Sequence, residues 1–386
     1  MPREAGAPWL GGPTGAADIV AVTGQSLARG RARAITREPV DPRRAFRLTG
    51  GPVAEGPQAV SGPLVPLAET VVESIASGFA GQLLSNDRRR SVIVVGQAAG
   101  GQPYAAVRKG AVTGVHERTV SQVGAAAGLA SARARAVLVL HGETDGVLGN
   151  AAYDRDLLEW LGAFEADLAP FLADGERLAL LICQTSSVSG YARGRRSRDA
   201  FVTPFLQCAA ARANLRILLV GPKYQYDYLD PAHLDAASTR AHGELFAKVY
   251  AEAVIGGAAW RPMGPDRVTV AGHRIVIDFH VPISPLVIDD TTIADPGHAG
   301  FCLVDAGTCR IADVAVTGPS QVTVGLSHDP PAGARLSYAF HNGEDGHSGR
   351  RYGARGCLRD SDPTPSATTG AALRNWCVAF EHRIDE

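Results

Sequence analysis

Five short apolar runs recur along the first 255 residues: DIVAV (18–22), SVIVVG (91–96), AVLVLHG (136–142), LALLIC (178–183) and LRILLVG (215–221). Runs of this length, rich in Val, Ile and Leu and without polar alternation, predict strands buried on both faces. Between them lie longer stretches with helical character, at 66–84, 153–172 and 238–254. In the second, Leu157, Leu161, Phe164 and Leu168 recur at helical spacing and form one apolar stripe. Strand and helix in alternation predict an α/β fold: a parallel sheet covered on both faces, with functional residues gathered at the carboxyl ends of the strands.

The texture changes after IGGAAWRP (255–262). Short alternating segments follow, separated by Gly, Pro, Asp and Asn: RVTVAGHRIVIDFHV, GFCLVDAGTCRIADVAV, QVTVGLSH, ARLSYAFH and NWCVAFEHRI. This pattern predicts antiparallel structure, most simply a small C-terminal β-sandwich. Two domains result, 1–255 and 256–386, as a chain of 386 residues leads one to expect. Trp260, Phe279, Tyr338, Phe340, Tyr352 and Trp376 read as core of the second domain rather than as a platform for sugar. The stretch 339–356, polar and rich in glycine, either reaches the active site of the first domain, binds glycan, or is a flexible surface loop. Residues 359–370 read as a polar loop.

Charge adds little. Charged residues make up 20% of the chain and the net charge is -1, so no electrostatic argument favours nucleic acid or an anionic membrane. The arginines at 88–90 and within 193–196 read as solvated surface. No run approaches the ~18 apolar residues of a membrane span. The first eighteen residues lack the apolar core of a signal peptide, so the chain reads as cytoplasmic, as shorn of a leader, or as exported by another route. Cys183 and Cys208 fall in apolar segments and read as buried thiols. Cys302, Cys309, Cys357 and Cys377 cluster in the last third, where two disulfides are conceivable and Cys302 with Cys309 is the obvious local pair. Their spacings do not resemble a zinc site.

The candidate chemistry lies just past the apolar runs. The first run ends in Gly24-Gln25-Ser26, the second leads to Gly100-Gly101, the third ends in HGETDG (141–146), and the fifth is followed by YLDPAHLD, with Asp230 and His233 three apart. Taken singly, each has a plainer reading: Ser26 as a helix cap, Gly-Gly as a turn, Thr144 or Asp145 capping a helix, and His233 as an ordinary surface histidine. Taken together they suit acyl transfer. Serine needs an adjacent base to become a nucleophile. His233 would be that base, and Asp230 would hold its ring in the right tautomer. His242, nine residues on, is a rival base. The backbone N–H groups of Ser26 and of Gly100 or Gly101, with a side-chain donor from the HGET segment, would receive the developing oxyanion.

These four pieces, GQSLARG, AAGGQPY, HGETD and DPAH, resemble in their order the blocks of the SGNH (GDSL-like) hydrolase superfamily. The branch they most resemble is that of the sialate O-acetylesterases and acetylxylan esterases. The resemblance covers about residues 18–254. It implies a flavodoxin-like three-layer α/β/α sandwich with a parallel sheet. It implies Ser26 as nucleophile, His233 as base, Asp230 as its orienting acid, and an oxyanion hole from Ser26, Gly100, Gly101 and His141. Gln25, Glu143, Thr144 and Asp145 would organise the supporting loop. No metal or organic cofactor is implied. Leu27 and His141 depart from the family pattern, which has Asn and Gln there; a neutral His141 could still donate through one ring nitrogen.

The expected function is therefore a serine esterase that removes small acyl groups, acetyl foremost, from a carbohydrate or other small-molecule ester. A lipase, thioesterase or acyltransferase would use the same residues. The alternative of a different class is a non-catalytic glycan-binding or surface- or phage-associated module built on the same fold.

Overall fold

A computed structural model describes residues 17–54, 62–192 and 197–384. The arginines within 193–196 lie outside the described residues. The chain opens with β1 (Ala17–Gly24), α1 (Ser26–Arg29), β2 (Ala45–Leu48), β3 (Leu64–Pro66), α2 (Ile75–Asn86) and β4 (Ser91–Ala98). It continues through α3 (Tyr104–Val107), α4 (Val115–Leu129), β5 (Ala132–Leu140), α5 (Glu143–Leu148), α6 (Tyr153–Leu168) and β6 (Ala179–Ile182). This part closes with α7 (Val188–Ala192), α8 (Thr203–Ala213), β7 (Ile217–Leu219) and α9 (Ala236–Val249). All five apolar runs form strands of one seven-stranded sheet, ordered β3-β2-β4-β1-β5-β6-β7. It is parallel throughout except where β3 meets β2.

Both faces of this sheet are covered, and β1 shows how. Ile19 and Ala21 point into a core shared with α4, α6 and α8. Val20 and Val22 point into another shared with α2 and α9. Side chains alternate across a strand, so a strand flanked by helices on both sides must be apolar at every position. The α6 stripe of Leu157, Leu161, Phe164 and Leu168 is buried, together with Trp160. Each such side chain contributes about 1.5–3 kcal/mol through burial.

Two expectations about elements are corrected. The segment 66–84 is helical only from Ile75. Ser74 caps that helix, its side chain accepting from the Ala76 N–H at 3.2 Å. Ahead of it Glu73 is drawn out of helical conformation by the backbone N–H groups of Ile35 and Thr36, at 2.7 and 2.9 Å. Within the arginine run at 88–90, Arg90 is not simply solvated. It ion-pairs at 2.6 Å with Asp18, a carboxylate buried at the start of β1.

The remainder comprises β8 (Gly264–Ala271), β9 (Arg274–His280), β10 (Val287–Ile288), β11 (Phe301–Val304), β12 (Ile311–Gly318), β13 (Gln321–Leu326), β14 (Arg335–Tyr338), β15 (Leu358–Arg359) and β16 (Phe380–Arg383). These form antiparallel sheets ordered β12-β13-β9-β8, β11-β14-β16 and β10-β15. Ile275, Ile277, Val322 and Val324 of the first share one core with Phe301, Leu336, Tyr338 and Phe380 of the second. Phe279, Tyr338, Phe340 and Trp376 are buried as expected, but Tyr352 is exposed, and Trp260 is half-buried on the parallel-sheet core instead, its Nε1–H donating to the Leu219 carbonyl of β7 at 2.8 Å. All six cysteines are free thiols. The two conceivable disulfides, Cys302 with Cys309 included, are not formed; Cys309, Cys357 and Cys377 are instead buried within the core of the antiparallel part.

The two parts are closely knit. Val378 belongs to the same apolar cluster as Ile19 and Trp160. Lys248 of α9 is buried against Asp362, the Leu373 carbonyl and Asn375 at 2.8, 2.6 and 2.7 Å. The polar loop 359–370 thus packs on α9, where Ser366 also donates to Glu244 at 2.6 Å. Among the described residues no helix is long and apolar enough to cross a membrane.

Candidate active site

The loops that follow the parallel strands meet at the carboxyl ends of those strands, past the centre of the sheet. Gly24 lets the chain leave β1. Its φ is +135°, and a β-carbon there would lie 2.2 Å from the Leu140 carbonyl of β5, so glycine is required. The next two residues turn into α1. Gln25 is the N-cap residue, with no side-chain cap bond, and Ser26 is the first helical residue. Ser26 therefore does not cap the helix. Its N–H, in the first turn, has no acceptor within the helix.

The Ser26 Oγ lies 2.7 Å from His233 Nε2. His233 Nδ1 lies 2.9 and 2.8 Å from the two carboxylate oxygens of Asp230. A carboxylate only accepts, so Nδ1 carries the hydrogen and Nε2 presents a lone pair to the Ser26 hydroxyl. Asp230 also accepts from the backbone N–H groups of Ala232 and His233, at 2.8 and 2.9 Å. Partial burial raises the Asp230 pKa, but these two N–H bonds and the imidazole outweigh it and hold the carboxyl below its ordinary range. The turn itself closes through the Leu229 N–H on the His233 carbonyl at 2.8 Å. The rival base, His242, is buried in α9 against Tyr226 and Phe246, with neither ring nitrogen hydrogen-bonded among the described residues.

Gly100 stands beside the serine, where a β-carbon would come within 3.7 Å of Ser26 Cβ. Gly101 has φ +67° and nothing within 4 Å of where its β-carbon would be.

His141 lies elsewhere than expected. It is buried, with Nε2 3.0 Å from the Gln102 carbonyl and Nδ1 2.8 Å from the Tyr153 hydroxyl. Burial lowers its pKa, despite Asp145 nearby, and keeps the ring neutral. Nε2 then donates to the carbonyl and Nδ1 accepts from Tyr153, whose hydroxyl stays protonated because burial raises its pKa far. Both nitrogens are engaged, so no ring N–H is left for an oxyanion.

The HGETD segment braces the site from below. Gln25 Nε2 donates to Glu143 at 2.7 Å, and Thr144 donates to Gln25 Oε1 at 3.2 Å. Asp145 accepts from the Tyr104 N–H at 2.9 Å and from Asn150 at 2.8 Å, tying α5 to α3 and to its own following turn. Neither Thr144 nor Asp145 caps α5.

The second oxygen of Glu143 accepts from Lys223, which sequence reasoning overlooked; both side chains are fully buried. Burial opposes the Lys223 charge, but the neighbouring Cys183 and Glu143, the latter through charge and a hydrogen bond, more than reverse this and hold its pKa above the ordinary value. Its signal was a lone lysine in GPKYQYDY, directly after a fully apolar strand. A cation there needs a buried partner.

A cleft of about 610 Å³ lies along β7, β8 and β16, lined by Trp260, Arg212 and Phe380 among others, and holds none of the candidate site residues.

Neither a protein-family model nor a curated protein matches the chain. Among solved structures it is similar to XAC1771, a carbohydrate acetylesterase from Xanthomonas citri, at 13% identity over 95% of this chain and 80% of that one, with a TM-score of 0.62. It is less similar to NanS, at 15% identity over 62% and 97% with a TM-score of 0.46. Est24, a carbohydrate acetylesterase from Sinorhizobium meliloti, aligns at 12% identity over 61% and 98% with a TM-score of 0.38. The chain shares the fold of XAC1771 across nearly its whole length.

Proposed function

We propose that the protein is a serine esterase of SGNH type that hydrolyses small acyl esters, acetyl foremost, on a carbohydrate. The observation that carries this reading is the unbroken chain from Ser26 Oγ through the His233 ring to Asp230, with bonds of 2.7 to 2.9 Å. On this reading residues 1–255 form a flavodoxin-like catalytic domain and 256–386 an accessory β-sandwich. The acetyl and carbohydrate specificity rests on the shared fold with XAC1771, itself a carbohydrate acetylesterase.

Ser26 Oγ attacks the ester carbonyl carbon while His233 Nε2 takes its proton. The carbonyl oxygen becomes an oxyanion, received by the backbone N–H groups of Ser26 and Gly100, each worth about 3–4 kcal/mol to the transition state. His233, now an imidazolium stabilised by ionised Asp230, returns the proton to the leaving alcohol as its bond to carbon breaks. Water then attacks the acyl-Ser26 ester, His233 takes its proton, and the acid departs as Ser26 is restored. With both His141 nitrogens engaged, this hole relies on backbone donors.

The test is release of p-nitrophenol from p-nitrophenyl acetate, followed by release of acetate from an acetylated polysaccharide. Wild type should hydrolyse both, and Ser26→Ala should fall to within the residual catalysis that binding and oxyanion donors alone supply, roughly 10³–10⁴ over water. Unchanged hydrolysis by Ser26→Ala would remove this serine from the mechanism.

A further inference from the structure

The turn that carries Asp230 and His233 is not held by the parallel-sheet part alone. Its outer side rests on the stretch 346–354, which belongs to the antiparallel part and lies more than a hundred residues away in sequence. Arg350 grips Asp227, at the entry to the turn, with two parallel bonds of 2.8 and 2.6 Å. The Arg350 N–H donates to the Tyr226 carbonyl at 3.2 Å. Ser348 Oγ donates at 2.5 Å to the carbonyl of Pro231, between Asp230 and His233.

The approach is backbone-close. Gly349 has φ +94°, and a β-carbon there would lie 2.7 Å from the Tyr226 carbonyl. The stretch is in turn moored to α7. Ser189 Oγ donates to the His347 carbonyl at 2.7 Å, and the Gly346 N–H donates to the Ser189 carbonyl at 2.7 Å. Asp227 passes the restraint onward: its carbonyl accepts from the Asp235 N–H at 3.1 Å, closing the far end of the turn.

We propose that Arg350 and Ser348 are positioning residues for the Asp230–His233 turn, so that the antiparallel part governs the turnover rate. This rests on the esterase reading above. The physical reason is leverage. Asp227 and Pro231 flank Asp230, and a guanidinium fork fixes orientation as well as distance. The 2.7 Å separation of Ser26 from His233 tolerates little: a misplacement of about 1 Å at a reacting group can cost roughly 10²-fold.

The test uses the full chain and p-nitrophenyl acetate, a substrate too small to report on a sugar subsite. Arg350→Ala should lower kcat about tenfold or more, with KM within about twofold and a thermal midpoint still above the assay temperature. Arg350→Lys, which keeps the charge but not the fork, should recover only part of the loss. Asp227→Asn should reproduce the loss, and the double variant should be no worse than either single one, since all three break the same link. An unchanged kcat in Arg350→Ala, a loss wholly in KM, or additive losses would overturn the proposal.

A readout independent of turnover separates this proposal from the esterase reading. The downfield proton resonance of the His233 Nδ1–H, assigned by its absence in His233→Asn, should broaden or vanish in Arg350→Ala. If it does so while wild type hydrolyses no ester, the esterase reading fails and the positioning role stands. If it is unchanged, the positioning role fails whatever the activity.

Discussion

Ser26 is both the first residue of a short helix and the hydroxyl that faces His233 at 2.7 Å. Its Oγ meets an imidazole lone pair and not a backbone N–H of its own helix. The aspartate behind that imidazole is held below its ordinary pKa by backbone donors first and the ring after them, so it stays charged throughout the pH range where an ester hydrolase works. Replacing it with the isosteric amide keeps the shape but reverses the tautomer that Nδ1 must adopt. Asp230→Asn should therefore lower kcat by roughly 10⁴ and leave KM little changed, as steady-state kinetics would read. A loss confined to KM would mean that Asp230 only binds.

The buried Lys223–Glu143 pair makes a separate prediction. Removing the cation leaves Glu143 and the Gln25 amide around an uncompensated charge. Lys223→Met should lose about 3–5 kcal/mol in urea unfolding. The double variant Lys223→Met with Glu143→Gln should lose less than Lys223→Met alone, and an equal or larger loss would show that the pair does not carry the cost.

Among elements, the strands were legible and the turns between them only in part. Five apolar runs announced five strands because each must satisfy a core on both faces. The short strands β2 and β3 lack such runs: Arg47 interrupts the apolar residues of β2, and β3, at the sheet edge, is three residues long and only partly buried. The helices α4 and α8 are not legible either: α4 carries Gln122, Gly124 and Gly128 among its apolar positions, which blurs its stripe.

The start of α2 is not legible in the sequence because its boundary is set by the Glu73 carboxylate, which accepts from the distant backbone of Ile35 and Thr36. Beside that boundary Glu69 is buried, which pushes its carboxyl up to about 8 from an ordinary 4.5, with Glu73 adding to the rise and Ser74 and Ser77 opposing it. Between those values the folded chain keeps a proton that the unfolded chain releases, so stability falls as pH rises through this window. The thermal midpoint of wild type should drop across that interval, and Glu69→Gln should drop less. Parallel curves for the two would place the pH dependence elsewhere.

For the whole molecule, the change of texture near residue 255 marks a change of architecture and not a place to cut. Val378 fills the parallel-sheet core, and Lys248 finds its partners in residues 362–375. A chain ended after Ile255 should therefore lose its cooperative urea transition or unfold at a clearly lower midpoint than the full chain. An unchanged midpoint would mean that the packing between the parts contributes nothing.

This scale was also the least legible in the sequence. Strand ends mark where chemistry can sit, so Ser26, Gly100, Asp230 and His233 became legible from their joint order along the chain, though each alone has a plainer reading. Contacts such as Arg350 with Asp227, 123 residues apart, have no local signature. Nor could spacing reveal that the cysteines stay unpaired, or that Tyr352 faces solvent.

The central claim is that Ser26 is an activated nucleophile, and covalent labelling by a fluorophosphonate reads this without any choice of substrate. Intact-mass measurement should find one adduct on wild type, mapped to the peptide containing Ser26. Ser26→Ala should show none, and labelling of His233→Ala should be slower by orders of magnitude. Failure of wild type to label, or equal labelling of Ser26→Ala, would contradict the account.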